Sequence, residues 1–188
     1  VERWQDFGFR YHEGVNNIRF DDGADILSFR YSEPSTWWLP IDPEIPRTDE
    51  NVLRLIQEYA SDPASRYHRR AKALLSSGMH DRSGRLQYRV ENQPWTNGVV
   101  FSLNSSPYLP GEFTSAKLMW NSDIRERLYG PRATGVQDGE YLDALEGYVT
   151  ADLNFRREHL AYAQTALTFT EDTREPVLHK AFQVYEFT

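Results

Sequence analysis

From residue 115 to the end of the chain, helix and strand signals alternate, and this order restricts the possible folds more than any other feature. Residues 115–128 place Ala116, Trp120, Ile124 and Leu128 at fourfold spacing and stop at Gly130-Pro131, the mark of an amphipathic helix. A strand pattern at 140–145 is followed by a helix pattern at 155–163 and a second strand pattern at 166–170. A last helix follows, with Pro176 at its first position and Leu178, Phe182 and Tyr185 along one face. Such alternation predicts parallel strands joined by helical crossovers, with loops gathered at the carboxyl ends of the strands.

The first half is less regular. Residues 25–32 set Ile26, Ser28 and Arg30 against Leu27, Phe29 and Tyr31, as a strand does. Residues 33–40 read as a loop, with Trp37-Trp38 held between Pro34 and Pro40. Thr48 is placed to cap a helix whose first turn carries Asp49 and Glu50 and whose apolar stripe is Val52, Ile56 and Tyr59. Asp62-Pro63 predicts a second helix start, with Tyr67, Ala71, Leu74 and Leu75 on one face and Gly78 as its stop. Leu86, Tyr88 and Val90 alternate along 85–91, and 99–103 is a short apolar strand leading into Asn104-Ser105-Ser106.

Within the α/β class two architectures compete. A dinucleotide-binding sheet needs a glycine-rich turn, and neither GxGxxG nor GxxxxGK[ST] occurs. A (β/α)8 barrel of the TIM type needs no such turn, but a whole one takes roughly 250 residues. The expectation is therefore a partial barrel, with residues 1–188 forming a single incomplete domain. The chain starts on Val1 and runs at once into the structured-looking stretch 7–11, so the remainder of a longer protein is the expected partner.

A formal charge of −7 argues against a nucleic-acid partner, and the pairs Arg69-Arg70 and Arg156-Arg157 are too short to reverse it. No apolar run approaches a membrane span. With 0 cysteines, disulfides, thiolate nucleophiles and thiolate zinc sites are excluded. The compartment stays open, a secreted or periplasmic one included, with any export signal expected upstream. Aromatic residues make up 14% of the chain, which fits either a large aromatic core or rings that stack on sugars.

The densest acidic segment holds Asp138, Glu140, Asp143 and Glu146. If all were buried they would repel one another, so some must face solvent or take part in chemistry. In a strand Glu140 and Glu146 point one way, while Asp143 shares the other face with Tyr141 and Leu145, late in the strand where barrel enzymes place acids and bases. Asp143 could equally cap the loop or pair with Arg156 or Arg157.

The run Asp138-Gly139 followed by Asp143, with Glu146 just beyond, resembles the aspartate-bearing strand ends of (β/α)-barrel glycoside hydrolases. The likeness covers about a dozen residues. It implies cleavage of a glycosidic bond by two carboxylates, without a cofactor, on a poly- or oligosaccharide. Asp143 and Glu146 are then the leading acid, base or nucleophile candidates. Glu33 is the best visible partner, since it follows a strand and precedes Pro34. Trp37, Trp38 and Tyr148 would serve as sugar platforms, with Asp138 and Glu140 binding hydroxyls. A non-catalytic carbohydrate-binding domain is the main rival, and a hydrolase using Asp138, Glu140 and Asp143 around magnesium is another.

The remaining motifs are weaker. His12, His68, His80, His159 and His179 show no metal-ligand spacing, and His12-Glu13 is the one pair worth inspecting. Residues 21–25 lack the spacing of a calcium loop and read as a turn into the next strand. Asn104-Ser105-Ser106 fits a glycosylation sequon. No GxSxG elbow is present.

Overall fold

The computed structural model describes residues 5–14, 18–94, 96–144 and 152–188. The chain forms two compact units, each built from two segments: residues 1–33 with 119–143, and 34–118 with 144–188.

The first unit is a parallel sheet of order β1-β2-β6, made of β1 (Tyr11–Gly14), β2 (Leu27–Ser32) and β6 (Gly139–Leu142). Strands β1 and β2 are joined through the short helix α1 (Ile18–Gly23), and parallel pairing requires such a crossover. Residues 21–23, expected as part of a turn, instead end α1, and only Ala24 and Asp25 turn the chain into β2: Ala24 N donates to Phe20 O at 2.9 Å, and Asp25 takes φ 55°. The polar residues Ser28 and Ser32 of β2 are buried, while Leu27, Tyr31 and Tyr141 are exposed. Two helices form where one was expected: α4 (Ser115–Met119) belongs to the second unit up to Leu118, and α5 (Ser122–Tyr129) starts afresh in the first. Asn121 causes the break, because its side chain accepts from Ile124 N at 2.9 Å and caps α5.

The second unit has two antiparallel sheets. One has the order β3-β5-β4, from β3 (Thr36–Pro40), β4 (Tyr88–Gln93) and β5 (Thr96–Ser102). Helices α2 (Asp49–Ser61) and α3 (His68–Ser77) bury their apolar stripes in a core of Trp37, Leu39, Val52, Ile56, Leu74 and Phe101. Thr48 caps α2 as the sequence indicates, accepting from Asn51 N at 3.4 Å. Asp62 instead accepts from Ala64 N in a turn, so α3 begins later than Asp62-Pro63 suggested. The other sheet has the order β7-β9-β8, from β7 (Leu153–Asn154), β8 (Thr168–Phe169) and β9 (Pro176–His179). It is accompanied by α6 (Arg157–Leu160) and α7 (Lys180–Phe187).

The barrel expectation is overturned. Each sheet has three strands, only β1-β2-β6 is parallel, and none closes among the described residues. Between β7 and β8 only the four-residue α6 forms, and β8 turns directly into β9, where Thr170 N donates to Glu175 O at 3.0 Å. Pro176 opens a strand rather than a helix. Val177 and Leu178 are both buried there, and the helix waits for His179, whose Nδ1 accepts from Ala181 N at 3.3 Å.

Candidate functional site

The parallel register of β2 and β6 pairs Tyr31 with Tyr141 and Ser32 with Leu142. Both strands therefore end at the same edge of the sheet, and the next residue of each is a carboxylate: Glu33 and Asp143. Asp143 N donates to Ser32 O at 2.9 Å, which holds the second strand end against the first. The Tyr31 hydroxyl lies 2.5 Å from Asp143 Oδ2 and 3.3 Å from Glu33 Oε2. One phenolic proton can serve only one of these acceptors at a time, so Asp143 holds it in the shorter bond. Burial, the bond to Asp143 and the neighbouring negative charges push the Tyr31 phenol far up, which keeps it a neutral donor. Tyr31 and Tyr141 stack at 6.0 Å with an interplanar angle of 22° and are 39% and 40% exposed.

Glu140 and Asp138 are committed to holding this sheet together. Glu140 faces the opposite side from Asp143, as strand alternation requires. It accepts from Arg30 Nε at 2.9 and 2.7 Å, from Ser32 Oγ at 2.8 Å and from the Tyr129 hydroxyl at 2.6 Å. Arg30 also donates to Met119 O at 2.7 Å and lies over the Trp120 ring, so one ion pair ties β2, β6 and α5 together. Burial and the Glu140 carboxylate push the Tyr129 phenol well up. Asp138 Oδ2 accepts from Ser28 N at 2.7 Å, extending the β2–β6 pairing by one side chain. The expected magnesium group of Asp138, Glu140 and Asp143 does not converge, and among the described residues no three carboxylates or histidines could hold a metal ion.

Two of the expected sugar platforms change character. Trp37 is a core residue, 2% exposed and stacked on Phe101 at 5.6 Å, because residues 36–40 form a strand paired with the central strand β5 instead of a loop. Trp38, on the alternate face, is half-buried and lines a cavity of about 390 Å³ with Pro40, Arg66 and Tyr67. Glu146 and Tyr148 lie outside the described residues.

Sequence reasoning missed three polar arrangements, the last two of which join residues far apart in the chain. In the first unit His12 Nδ1 donates to the fully buried Asp21 at 3.2 Å, and Asp21 also accepts from Ser28 Oγ at 2.9 Å. In the second unit His159 Nε2 donates to Ser76 O at 2.9 Å, while its Nδ1 accepts from the amides of Asn154 and Asn104 at 3.0 and 3.2 Å. Burial, reinforced by Arg156, lowers the His159 pKa to about 4, so the ring is neutral. Asn104 is itself buried in this cluster, which removes the sequon from reach in the folded state. The third arrangement joins Lys180, Ser102 and Asp152. Arg156 and Arg157 find partners inside the second unit, at Leu75 O, Gly78 O and Glu175.

Comparison with protein-family models, with curated proteins and with solved structures found no match to this chain, so the geometry alone supports a functional reading.

Proposed function

We propose that the first unit performs carboxylate chemistry on a carbohydrate, as a glycoside hydrolase does, through Glu33 and Asp143. One observation carries the reading: the Tyr31 hydroxyl reaches both carboxylates, which come from strand ends 110 residues apart and share one edge of the sheet. Since one oxygen contacts both, their bonded oxygens are at most about 6 Å apart, on the side of the roughly 5–5.5 Å spacing of retaining enzymes and short of the inverting range. In this scheme Asp143, oriented by the phenol, attacks the anomeric carbon. Glu33 protonates the leaving oxygen and then removes a proton from the incoming water. The exposed Tyr31 and Tyr141 rings offer a flat surface for the apolar face of the sugar.

Hydrolysis of aryl glycosides by the protein tests this directly. Asp143→Asn and Glu33→Gln are each expected to lower kcat by at least about 100-fold with the fold retained, and the first product should keep the anomeric configuration of the substrate. Stacked, open tyrosines also suit a non-catalytic sugar-binding surface. That second reading expects no turnover in the wild type and weaker oligosaccharide binding in Tyr141→Ala alone.

A further inference from the structure

The second unit contains a cavity of about 460 Å³ on the β4–β5 sheet, within the range of small-molecule sites. Asp152 contributes to its lining, and its setting is unusual. Lys180 is fully buried, and a buried ammonium requires a counter-charge. Its Nζ donates to Asp152 Oδ2 at 3.3 Å and to Ser102 Oγ at 3.3 Å, and Ser102 Oγ donates to the same Oδ2 at 3.0 Å. Both side-chain donors thus converge on one oxygen of a carboxylate that is 34% exposed. Among the described residues no side chain donates to Oδ1, so the ion pair fixes an acceptor at the cavity wall.

The lining also includes Tyr88, Asp49, Arg85 and Asp81. The Tyr88 hydroxyl donates to Asp49 Oδ1 at 2.5 Å, and Arg85 reaches Asp49 at 3.7 Å and Asp81 at 3.1 Å. Burial and the Asp49 carboxylate push the Tyr88 phenol up to about 12, so it remains a donor. Asp49, Asp81 and Asp152 meet Arg85 and the Lys180 behind Asp152, while Arg89 is paired with Glu91 at 2.6 Å, so no cation of the lining is in surplus. A net anion would meet the carboxylates without a surplus of cations, and a net cation would meet Arg85. Paired donors and acceptors beside an aromatic ring instead match a ligand with many hydroxyl groups and no charge.

We propose that this cavity binds a neutral, hydroxyl-rich molecule of mono- or disaccharide size, with Asp152 Oδ1 accepting from one ligand hydroxyl and Arg85 donating to another. The site lies wholly in the second unit and does not depend on the Glu33–Asp143 reading.

Calorimetry and saturation-transfer NMR on the whole chain, with glucose, cellobiose and myo-inositol as probes and glucuronate and glucosamine as charged controls, test it. At least one neutral probe should bind with a Kd below about 10 mM, and Asp152→Asn should weaken it at least about tenfold, as expected for a hydrogen bond to a charged group. Because that variant also alters the partner of Lys180, Arg85→Ala is the second arm. Its side chain is exposed and leaves the Lys180–Asp152 pair intact, and it should weaken binding several-fold without lowering Tm. Glu33→Gln should leave this affinity unchanged. No saturation by any neutral probe, tighter binding of a charged control, wild-type affinity in Arg85→Ala, or loss of binding in Glu33→Gln would each overturn the proposal.

Discussion

In the β3-β5-β4 sheet, Trp37, Leu39, Val99 and Phe101 are buried against α2 and α3, and the aromatic rings serve the core. The β1-β2-β6 sheet reverses this arrangement: its strand residues Ser28 and Ser32 are buried and hydrogen-bonded, while Tyr11, Leu27, Tyr31 and Tyr141 are exposed. Parallel sheets are ordinarily covered on both faces, so an open aromatic face is exceptional. The contrast teaches that the same residue type carries opposite meanings in the two units. In the β3-β5-β4 sheet Trp37 and Phe101 are core rings, and in the β1-β2-β6 sheet Tyr31 and Tyr141 stand open to water. Carboxylates differ in the same way, since Glu140 is spent on Arg30 while Asp143, three residues on, bonds the Tyr31 side chain and, among the described residues, no cation.

The largest effect separating the two units is expected from deleting an aromatic ring in each. Trp37→Ala should cost about 3–5 kcal/mol, because the ring is fully enclosed and leaves a cavity. Tyr141→Ala should cost about 1 kcal/mol or less, since its ring is already open to water. Urea unfolding of both variants measures the difference. Equal losses would mean that the tyrosine face is packed in solution, and the comparison would fail.

How much of this was legible depended on the distance over which each signal acts. The Thr48 cap and the α2 stripe are local, and they could be read from adjacent residues. Alternation also placed β2, β4, β5 and β6 close to where they form. Strand direction was not legible, because element order is compatible with either a crossover or a hairpin, and only the shortness of α6 decides between them. Trp37-Trp38 looked like a loop because two prolines flank them, whereas the pairing of Trp37 with Phe101 is 64 residues distant. Glu33 and Asp143 could each be singled out, the first by its place after a strand and the second by its apolar neighbours. Their meeting at Tyr31 follows from the β2–β6 register and could not be read from either segment. Lys180 with Ser102, from segments 78 residues apart, left no local trace for the same reason.

A medium effect should come from acid, and it should fall on the second unit. His159 is buried and neutral with a pKa near 4, whereas in the unfolded chain an ordinary histidine titrates near 6.5. Between these values the unfolded state binds the proton that the folded state refuses. Stability is therefore fully present above about pH 6.5 and declines as pH falls through 4, by about 3 kcal/mol in all. Unfolding free energies from pH 7 to 4 should show this loss, and His159→Gln should flatten it. An equally steep decline in His159→Gln would assign the acid sensitivity to other groups.

The smallest expected change in stability is also the one that most sharpens the role of the first unit. Tyr31→Phe keeps the ring and its stack on Tyr141 but removes the oxygen that Asp143 and Glu33 share. The site is open to water, so the fold should lose no more than about 1 kcal/mol. If the hydroxyl orients Asp143 for attack, kcat on an aryl glycoside should fall about tenfold while KM hardly moves, because the ring that meets the sugar is unchanged. Tyr141→Phe should leave both constants as they are, since it keeps the ring that stacks on Tyr31 and the Tyr31 hydroxyl that reaches both carboxylates. A rise in KM at constant kcat would instead make Tyr31 a sugar-binding group. Unchanged constants in Tyr31→Phe together with an inactive Asp143→Asn would keep the carboxylate and remove the phenol from the mechanism.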